Sequence, residues 1–485
     1  MVRSKVPAAI ALLAAACGPP EAPDDGPRPD HVLFLVVDTL RADRLSCYGN
    51  PRTTSPTIDA LAARGVRFAQ AYSQCSWTLP SMISMFTGQY VSERCLKIPE
   101  DNWSIAEVFH EKGFATAAFV CNPLINEDNG FTRGFDRYKF RKHYLGFEAL
   151  HAWIASCAGK RSFTYVHLND PHHPYAPLKQ FVTDDVYGVV SEEERATWSE
   201  ATERLELIDG ENTIEKIEDM RRRYDDEITF SDEQVREILD AYRQAGMLDE
   251  TVVVFGADHG EGLYTREVPF EFFFALEKGR PPTLLNAFKG GHGNEVHEEL
   301  IHVPLILAGP GVPGGVVVER PVENLDVVPT LFELFRIPLD EEPYPLRDQI
   351  QGTSLLNAID GDGYKDFAFS STAVESAVVT EEGVKLIRPR EIAQRTYDYL
   401  ETRVYDLNAD PEERRNLAEE RPDVVRALEA KIRERLHSGL RMDPDERRKQ
   451  YEANQRILEE LGYAGEDERF EDWDDPLLDG GAGDF

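Results

Sequence analysis

The sequence predicts an α/β protein: a three-layer α/β/α sandwich with a mostly parallel central sheet, followed by a small C-terminal α+β subdomain. Three observations support this prediction: unbroken apolar runs, helical patterns between those runs, and a more polar composition beyond about Leu346. An apolar run without alternation is typical of a strand that is buried on both faces, as in a parallel sheet. Strands that alternate with helices favour helices on both faces of that sheet.

The apolar runs mark the strands of the main domain. They are predicted at residues 31–37, 116–120, 163–168, 251–256 and 303–307. Shorter strand signals in the C-terminal part lie at 376–380 and 384–387.

Helix signals lie between and after these strands. Ser55-Pro56 offers an N-cap and a first-turn proline for one helix, and Ser104 has the spacing of a capping box with Glu107. A long amphipathic helix is predicted over 217–244, ending at Gly246, and a later helix over about 422–436.

The N-terminus has the pattern of an export signal. A basic start and a short apolar run end at Ala14-Ala15-Ala16-Cys17, which resembles a bacterial lipobox with Cys17 as the lipidated residue. Simple secretion, with Cys17 there by chance, is the alternative. We expect an exported protein in the periplasm or on the surface of a bacterium, contacting the membrane only through its lipid anchor. The five remaining cysteines leave at least one free thiol, and the sequence assigns no pairs.

The chain is therefore divided into five predicted parts. They are residues 1–17 as signal peptide and lipobox, 18–29 as linker, 30–345 as main domain, 346–440 as C-terminal subdomain, and 441–485 as an acidic, partly disordered tail. Residues 264–288, rich in phenylalanine and proline, interrupt the main domain. They form either a lid near the site or a packed insertion with no contact to substrate.

The formal net charge of −35 narrows the range of partners. Nucleic acids are bound through basic patches, so this charge argues against a nucleic-acid partner. An anionic substrate must instead be attracted locally, and a bound metal cation is the obvious means.

Two predicted strands end in residues of the metal-ligand type. Asp38 directly follows the first strand, and Asp258 and His259 follow the strand at 251–256. Ligands bind at the carboxyl ends of strands in an open α/β sheet, and this residue set suits a divalent cation. A lone Asp in such a place is more often only a helix cap.

Thr78 is a candidate nucleophile. It precedes Pro80, which fits a first-turn helix position and puts Thr78 at or just before the N-cap. Its hydroxyl would then lie at the positive end of the helix dipole, where an anion is stabilised. Thr78 either caps this helix only, or also attacks substrate once its alkoxide is stabilised.

Further candidates bind substrate or transfer protons. His167 and His172 lie at the end of the strand at 163–168, and His292 follows Lys289 in a glycine-rich segment. Histidines in a site grip anionic oxygens or protonate a leaving group near neutral pH. Each of them taken alone is more often structural.

Several motifs in the same order resemble the sulfatase family of the alkaline-phosphatase superfamily. The resemblance covers nearly all of residues 30–436 and rests on Val36-Val37-Asp38-Thr39-Leu40-Arg41-Ala42-Asp43, Thr78-Leu79-Pro80-Ser81, Asp170-Pro171-His172-His173-Pro174-Tyr175, Ala257-Asp258-His259-Gly260-Glu261 and the segment from His292 to Leu305.

The resemblance implies a set of roles in an alkaline-phosphatase-like fold. It implies that Asp38, Asp258 and His259 are metal ligands, with the Thr78 oxygen completing the site. His172 and His292 would bind the transferred group or assist the leaving group. Two weaker substrate-binding candidates are His167 and Lys289.

The nucleophile segment departs from the family pattern. Sulfatases have Cys-X-Pro-Ser-Arg and convert that cysteine to formylglycine, whereas this chain has Thr78-Leu79-Pro80-Ser81-Met82. The departure points to relatives with a threonine nucleophile, such as phosphodiester hydrolases or phosphoglycerol transferases. An imidazole in place of a carboxylate favours manganese or zinc as the single divalent ion, with calcium or magnesium as alternatives.

Two functions from different classes follow. The first is metal-dependent hydrolysis, or transfer, of sulfate or phosphate esters or diesters through Thr78, on a glycan, a lipid or a small molecule. The second is a catalytically inactive relative that binds sulfated or phosphorylated glycans. Cleavage of sulfate esters without formylglycine remains open within the first.

Overall fold

The computed structural model describes most of the chain from residue 29 onward. The described residues are 29–92, 95–142, 145–173, 175, 210–266, 291–340, 346–390, 393–394, 400–436, 438–440 and 442–460. The predicted signal peptide, nearly all of the linker, Lys289, most of the 264–288 insertion and the end of the acidic tail lie outside them.

Twelve strands form two sheets in the described residues. In chain order the strands are β1 (His31–Val37), β2 (Val66–Tyr72), β3 (Ala115–Val120), β4 (Arg137–Phe140), β5 (Ser162–Leu168), β6 (Thr251–Ala257), β7 (His302–Ala308), β8 (Val316–Glu323), β9 (Phe367–Ser371), β10 (Glu375–Thr380), β11 (Val384–Pro389) and β12 (Arg403–Asp406).

Ten α-helices accompany these strands in the described part of the chain. They are α1 (Pro56–Arg64), α2 (Thr78–Thr87), α3 (Ile105–Glu111), α4 (Phe147–Ser156), α5 (Gly210–Gln244), α6 (Glu298–Ile301), α7 (Val327–Leu334), α8 (Leu355–Asp360), α9 (Pro422–Leu436) and α10 (Pro444–Glu460). The capping box of Ser104 and Glu107 is formed at the start of α3. No helix among the described residues combines the length and apolar character that crossing a bilayer requires.

The large sheet is mixed and mostly parallel, which confirms the predicted fold class. Its order is β4-β3-β5-β1-β6-β7-β2-β8. Strand β7 pairs antiparallel with both of its neighbours, while the other adjacent pairs are parallel. The second sheet, β12-β11-β10-β9, is antiparallel.

Helices cover both faces of the large sheet. Alternate residues of β1 enter two different cores: Phe34 packs in one, and Leu33 and Leu35 pack in the other. Helices α2, α3 and α7 contribute to the first core, and α1, α4 and α5 contribute to the second. Burial on both faces explains why this strand is apolar from Val32 to Val37.

Candidate active site and metal centre

The carboxyl ends of the central strands bring the candidate site together. Strand β1 lies between β5 and β6, and its last residue Val37 pairs with Leu168 on one side and Ala257 on the other. Adjacent strands lie about 4.8 Å apart. The residues that follow β1 and β6, Asp38 and Asp258, therefore emerge side by side.

The two carboxylates and His167 form a buried triad. One ligand atom from each of Asp38, Asp258 and His167 lies within 4.8 Å of the others, and all three residues are buried. Asp38 Oδ1, Asp258 Oδ2 and His167 Nε2 have no hydrogen-bond partner within the described part of the chain. Buried polar atoms without partners are rare in native proteins. Two anionic oxygens and one imidazole nitrogen are donors that fit a divalent cation.

The pKa values of the two carboxyls shift in opposite directions. Burial and the charge of Asp38 raise the pKa of Asp258 to about 7. Burial also acts to raise the pKa of Asp38, but His172 and His167 outweigh it and hold that pKa well below its usual value. Such a pair resists full ionisation unless positive charge is supplied between the carboxylates.

His259 faces the same carboxylates. Its Nε2 lies 3.4 Å from Asp258 Oδ2 and 3.8 Å from Asp38 Oδ1. Its Nδ1 donates to the carbonyl oxygen of Gly260 at 2.9 Å, which leaves Nε2 as the unprotonated nitrogen of the neutral ring. Burial lowers the pKa of His259 and so favours this neutral form, which is the form that binds metals.

The hydroxyl of Thr78 completes this group of side chains. Its Oγ1 lies 3.3 Å from His259 Nε2, and the residue is fully buried. The sequence predicted Thr78 at or just before the N-cap, and this is wrong, because Thr78 lies one residue after the N-cap. Trp77 has extended backbone angles and is the N-cap, so Thr78 is the first residue of α2 and Pro80 the third. The amide at the third helical position has no partner within the helix, so a proline there costs no hydrogen bond.

A glycine allows the loop after β6 to come close to its neighbour. A Cβ on Gly260 would overlap the carbonyl oxygen of Glu299, and the Gly260 amide donates to the oxygen of Leu300 at 2.8 Å. Only glycine fits this approach, which holds His259 over the carboxylates.

A cluster of histidines adjoins the carboxylates. The ring of His292 lies 4.4 Å from that of His259 and 5.2 Å from that of His172, measured between centroids. His292 Nδ1 donates to the buried carboxylate of Glu261 at 3.2 Å. Burial alone would raise the pKa of Glu261, but the neighbouring histidines, first of all His292, lower it.

Two residues of the site were not singled out from the sequence. Asn122 follows β3 and donates from Nδ2 to Asp38 Oδ2 at 2.5 Å. Glu261 is the partner of His292. Asn122 has the same signal as Asp38, a polar residue just after an apolar strand, and that signal could have found it. His167, predicted only as a weaker substrate-binding residue, lies in the carboxylate triad.

Comparisons with known proteins agree on one family. The family model described as Sulfatase matches residues 30–337. The choline-sulfatase of Rhizobium meliloti (strain 1021) is 29% identical over 454 residues, which cover 80% of this chain and 82% of that protein. An ulvan-active sulfatase of Formosa agariphila is 23% identical over 464 residues, which cover 85% of this chain and 82% of that protein.

Solved structures share the fold. A phosphonate monoester hydrolase of Agrobacterium radiobacter superimposes with a TM-score of 0.63 at 18% identity, covering 84% of this chain and 95% of that chain. A protein solved in complex with its substrate D-glucosamine-2-N,6-O-disulfate has a TM-score of 0.61 at 18% identity, covering 88% of this chain and 99% of that chain.

Proposed function

Because this chain belongs to the sulfatase family and is a hydrolase of ester bonds, we propose that it cleaves a sulfate or phosphate ester with Thr78 as the nucleophile. The observation that supports this most directly is the 3.3 Å distance between Thr78 Oγ1 and His259 Nε2. The same nitrogen lies within 4 Å of oxygens of Asp38 and Asp258. Four side chains from three remote segments of the chain thus lie close together.

A divalent cation held there by Asp38, Asp258 and His259 or His167 would supply positive charge that stabilises the Thr78 alkoxide and the oxygens of the substrate. Mixed oxygen and nitrogen donors support manganese or zinc, with calcium or magnesium as alternatives.

Thr78 and the neighbouring histidines divide the reaction between them. The Thr78 hydroxyl releases its proton to solvent and its oxygen forms a bond to sulfur or phosphorus. The bond from that atom to the leaving oxygen breaks, and His172 or His292 donates a proton to that oxygen. Water then attacks the ester on Thr78, gives one proton back to that histidine, and the Thr78 oxygen leaves and takes up a proton from solvent. The transferred group leaves as sulfate or phosphate, or as a phosphate monoester or phosphonate when the substrate is a diester or a phosphonate ester. An alcohol in place of water would give group transfer.

The relatives support an anionic tetrahedral ester as the substrate class. Two of them are named as sulfatases, of choline sulfate and of ulvan, and one structural neighbour is named for phosphonate monoesters. A net charge of −35 requires the attraction of such an anion to be local, which the buried cation site would provide. We further propose that the protein is exported and lipid-anchored through Cys17.

Three variants of α2 test the role of Thr78. We expect Thr78→Ala to lower turnover of aryl sulfates, phosphate diesters and phosphonates by at least about a thousandfold, because it removes the attacking atom. Thr78→Ser keeps a hydroxyl and should retain measurable turnover. Thr87→Ala removes a buried hydroxyl that bonds Ile83 at the other end of α2, and is the matched control.

Each outcome of these assays has a clear meaning. Unchanged turnover in Thr78→Ala removes Thr78 from the mechanism. Complete inactivity of the unmodified protein on every ester with manganese, zinc, calcium and magnesium, together with tight binding of a sulfated glycan, would favour the inactive binding protein instead.

A further inference from the structure

Two loops that carry the candidate ligands have strained backbones. Thr39, next to Asp38, has a φ of +56°, and Leu263 and Tyr264, a few residues after His259, have φ of +49° and +58°. A positive φ is an outlier for a β-branched or bulky residue. Such conformations cost about 1–3 kcal/mol each and persist only where the surroundings fix them.

Helix α5 supplies the contacts that fix the first loop. The Tyr224 hydroxyl donates to the carbonyl oxygen of Thr39 at 2.7 Å and accepts from the amide of Arg41 at 3.0 Å. Tyr224 is fully buried, so water does not compete for either bond. One side-chain atom thus spans both ends of the strained peptide segment after Asp38.

The same helix also holds the second loop, which contains Leu263 and Tyr264, through a residue three positions before Tyr224. Arg221 Nε donates to the carbonyl oxygen of Leu263 at 2.8 Å, and its Nη2 donates to that of Tyr264 at 3.1 Å. Both acceptors belong to the two residues with positive φ. Only 2% of Arg221 is exposed, so water does not compete for these bonds.

Arg41 ties the two loops to each other. Its Nη1 donates to the carbonyl oxygen of Glu261 at 3.1 Å, while its Nε and Nη2 form a bidentate pair with Asp43. Tyr224, Arg41 and Arg221 therefore form one connected set of hydrogen bonds between α5 and the segments that present Asp38, Asp258 and His259.

We propose that Tyr224 and Arg221 are positioning residues which hold these loops in their strained conformations and thereby set the affinity of the site for its cation. The inference rests on the proposed function only in taking Asp38, Asp258 and His259 as ligands. Outer partners that orient metal ligands typically change metal affinity by about 10–100-fold when they are removed.

Manganese binding to the purified full-length protein, measured by calorimetry, tests this role. Tyr224→Phe removes a single oxygen atom, and we expect it to weaken manganese binding by at least about tenfold. The matched control is Tyr242→Phe. Tyr242 is equally buried in α5, but lies 18 residues further on, about 27 Å along the axis, against Thr164. We expect less than a twofold change for it.

A second pair of variants tests the inference independently, in case Tyr224→Phe impairs folding. Arg221→Gln should weaken manganese binding to a similar degree, whereas Arg236→Gln, an exposed arginine of the same helix, should not. Melting temperatures without metal identify any general loss of stability. Turnover lost in Tyr224→Phe should be largely recovered at saturating manganese, because a residue that acts through the cation site leaves the substrate contacts in place.

The results separate this inference from the proposed function. Equal effects of Tyr224→Phe and Tyr242→Phe on manganese affinity overturn it, as do unchanged affinities in both Tyr224→Phe and Arg221→Gln. Binding is measured without turnover, so an unmodified protein that binds manganese but cleaves no ester overturns the proposed function alone. An unmodified protein that binds none of manganese, zinc, calcium and magnesium overturns both.

Discussion

The close approach at Gly260 gives a prediction whose size follows from the geometry. A methyl group added by Gly260→Ala would overlap the carbonyl oxygen of Glu299. Neither side can easily retreat, because the Gly260 amide bonds Leu300 and the Glu299 carboxylate forms a bidentate pair with Arg266. The φ of Gly260 lies outside the left-handed region, so the cost comes from the contact alone.

Overpacking in a closely packed interior costs about 1–3 kcal/mol, and a backbone obstacle puts this substitution at about 2–3 kcal/mol. Urea denaturation of the purified protein, with the m-value compared between variants, measures that loss. Because the loop carries His259, we also expect weaker manganese binding.

The control for Gly260→Ala is Gly291→Ala in the neighbouring loop. An added Cβ at Gly291 meets no atom of the described residues within 4 Å, so its substitution should stay within about 0.5 kcal/mol of the unmodified protein. If Gly260→Ala also costs less than about 0.5 kcal/mol, or if both substitutions cost the same, the loop does not approach Glu299 as described.

Three further predictions concern buried polar contacts. Asn122→Leu removes the donor to Asp38 and should weaken manganese binding about tenfold by calorimetry. Lys385→Met leaves the buried Glu413 and the partly buried Glu298 without their shared partner and should cost about 3–5 kcal/mol in urea denaturation. Burial acts to raise the pKa of Glu299, but Arg266 outweighs it and lowers that pKa to about 2. The ionised Glu299 therefore stabilises the folded protein fully above pH 4.5, and this stabilisation is lost as the pH falls towards 2.

Matched variants decide these three predictions. Equal manganese affinity in Asn122→Leu and the unmodified protein would show that Asn122 does not orient Asp38. Lys431→Met, which removes a partly exposed pair with Asp366, should cost less than about 1 kcal/mol, and a similar cost for Lys385→Met would contradict the burial argument. In Arg266→Met the free energy of unfolding should fall less steeply as the pH drops below 4.5. An unchanged dependence on pH would show that other carboxyls cause the loss.

Strands that are buried on both faces were predictable from the sequence, whereas partly exposed strands were not. All five predicted strands of the main domain are present, because strands such as β1 are buried at every position and apolar at nearly all of them. Strands β2 and β8 are only partly buried and gave no unbroken apolar run. The antiparallel direction of β7 depends on its neighbours, which hydrophobic periodicity does not encode.

The site was predictable where its residues follow an apolar strand. Asp38, Asp258 and His259 do so, and His259 Nε2 lies within 4 Å of a carboxylate oxygen of each aspartate. The proximity of His167 to the carboxylates depends on β5 pairing with β1 in register, which is a property of the folded sheet. The contact of Tyr224 with Thr39 joins residues 185 positions apart, and no local pattern predicts such a contact.

The most direct test of the central claim looks for the proposed covalent intermediate on Thr78. The protein with manganese is mixed with an aryl phosphate diester, quenched in acid within the first turnover, digested and analysed by mass spectrometry. We expect a mass gain equal to the transferred group on Thr78, absent in Thr78→Ala. An adduct on another residue while the ester is turned over would contradict this mechanism. So would the absence of any adduct under conditions where the first product is released in a burst.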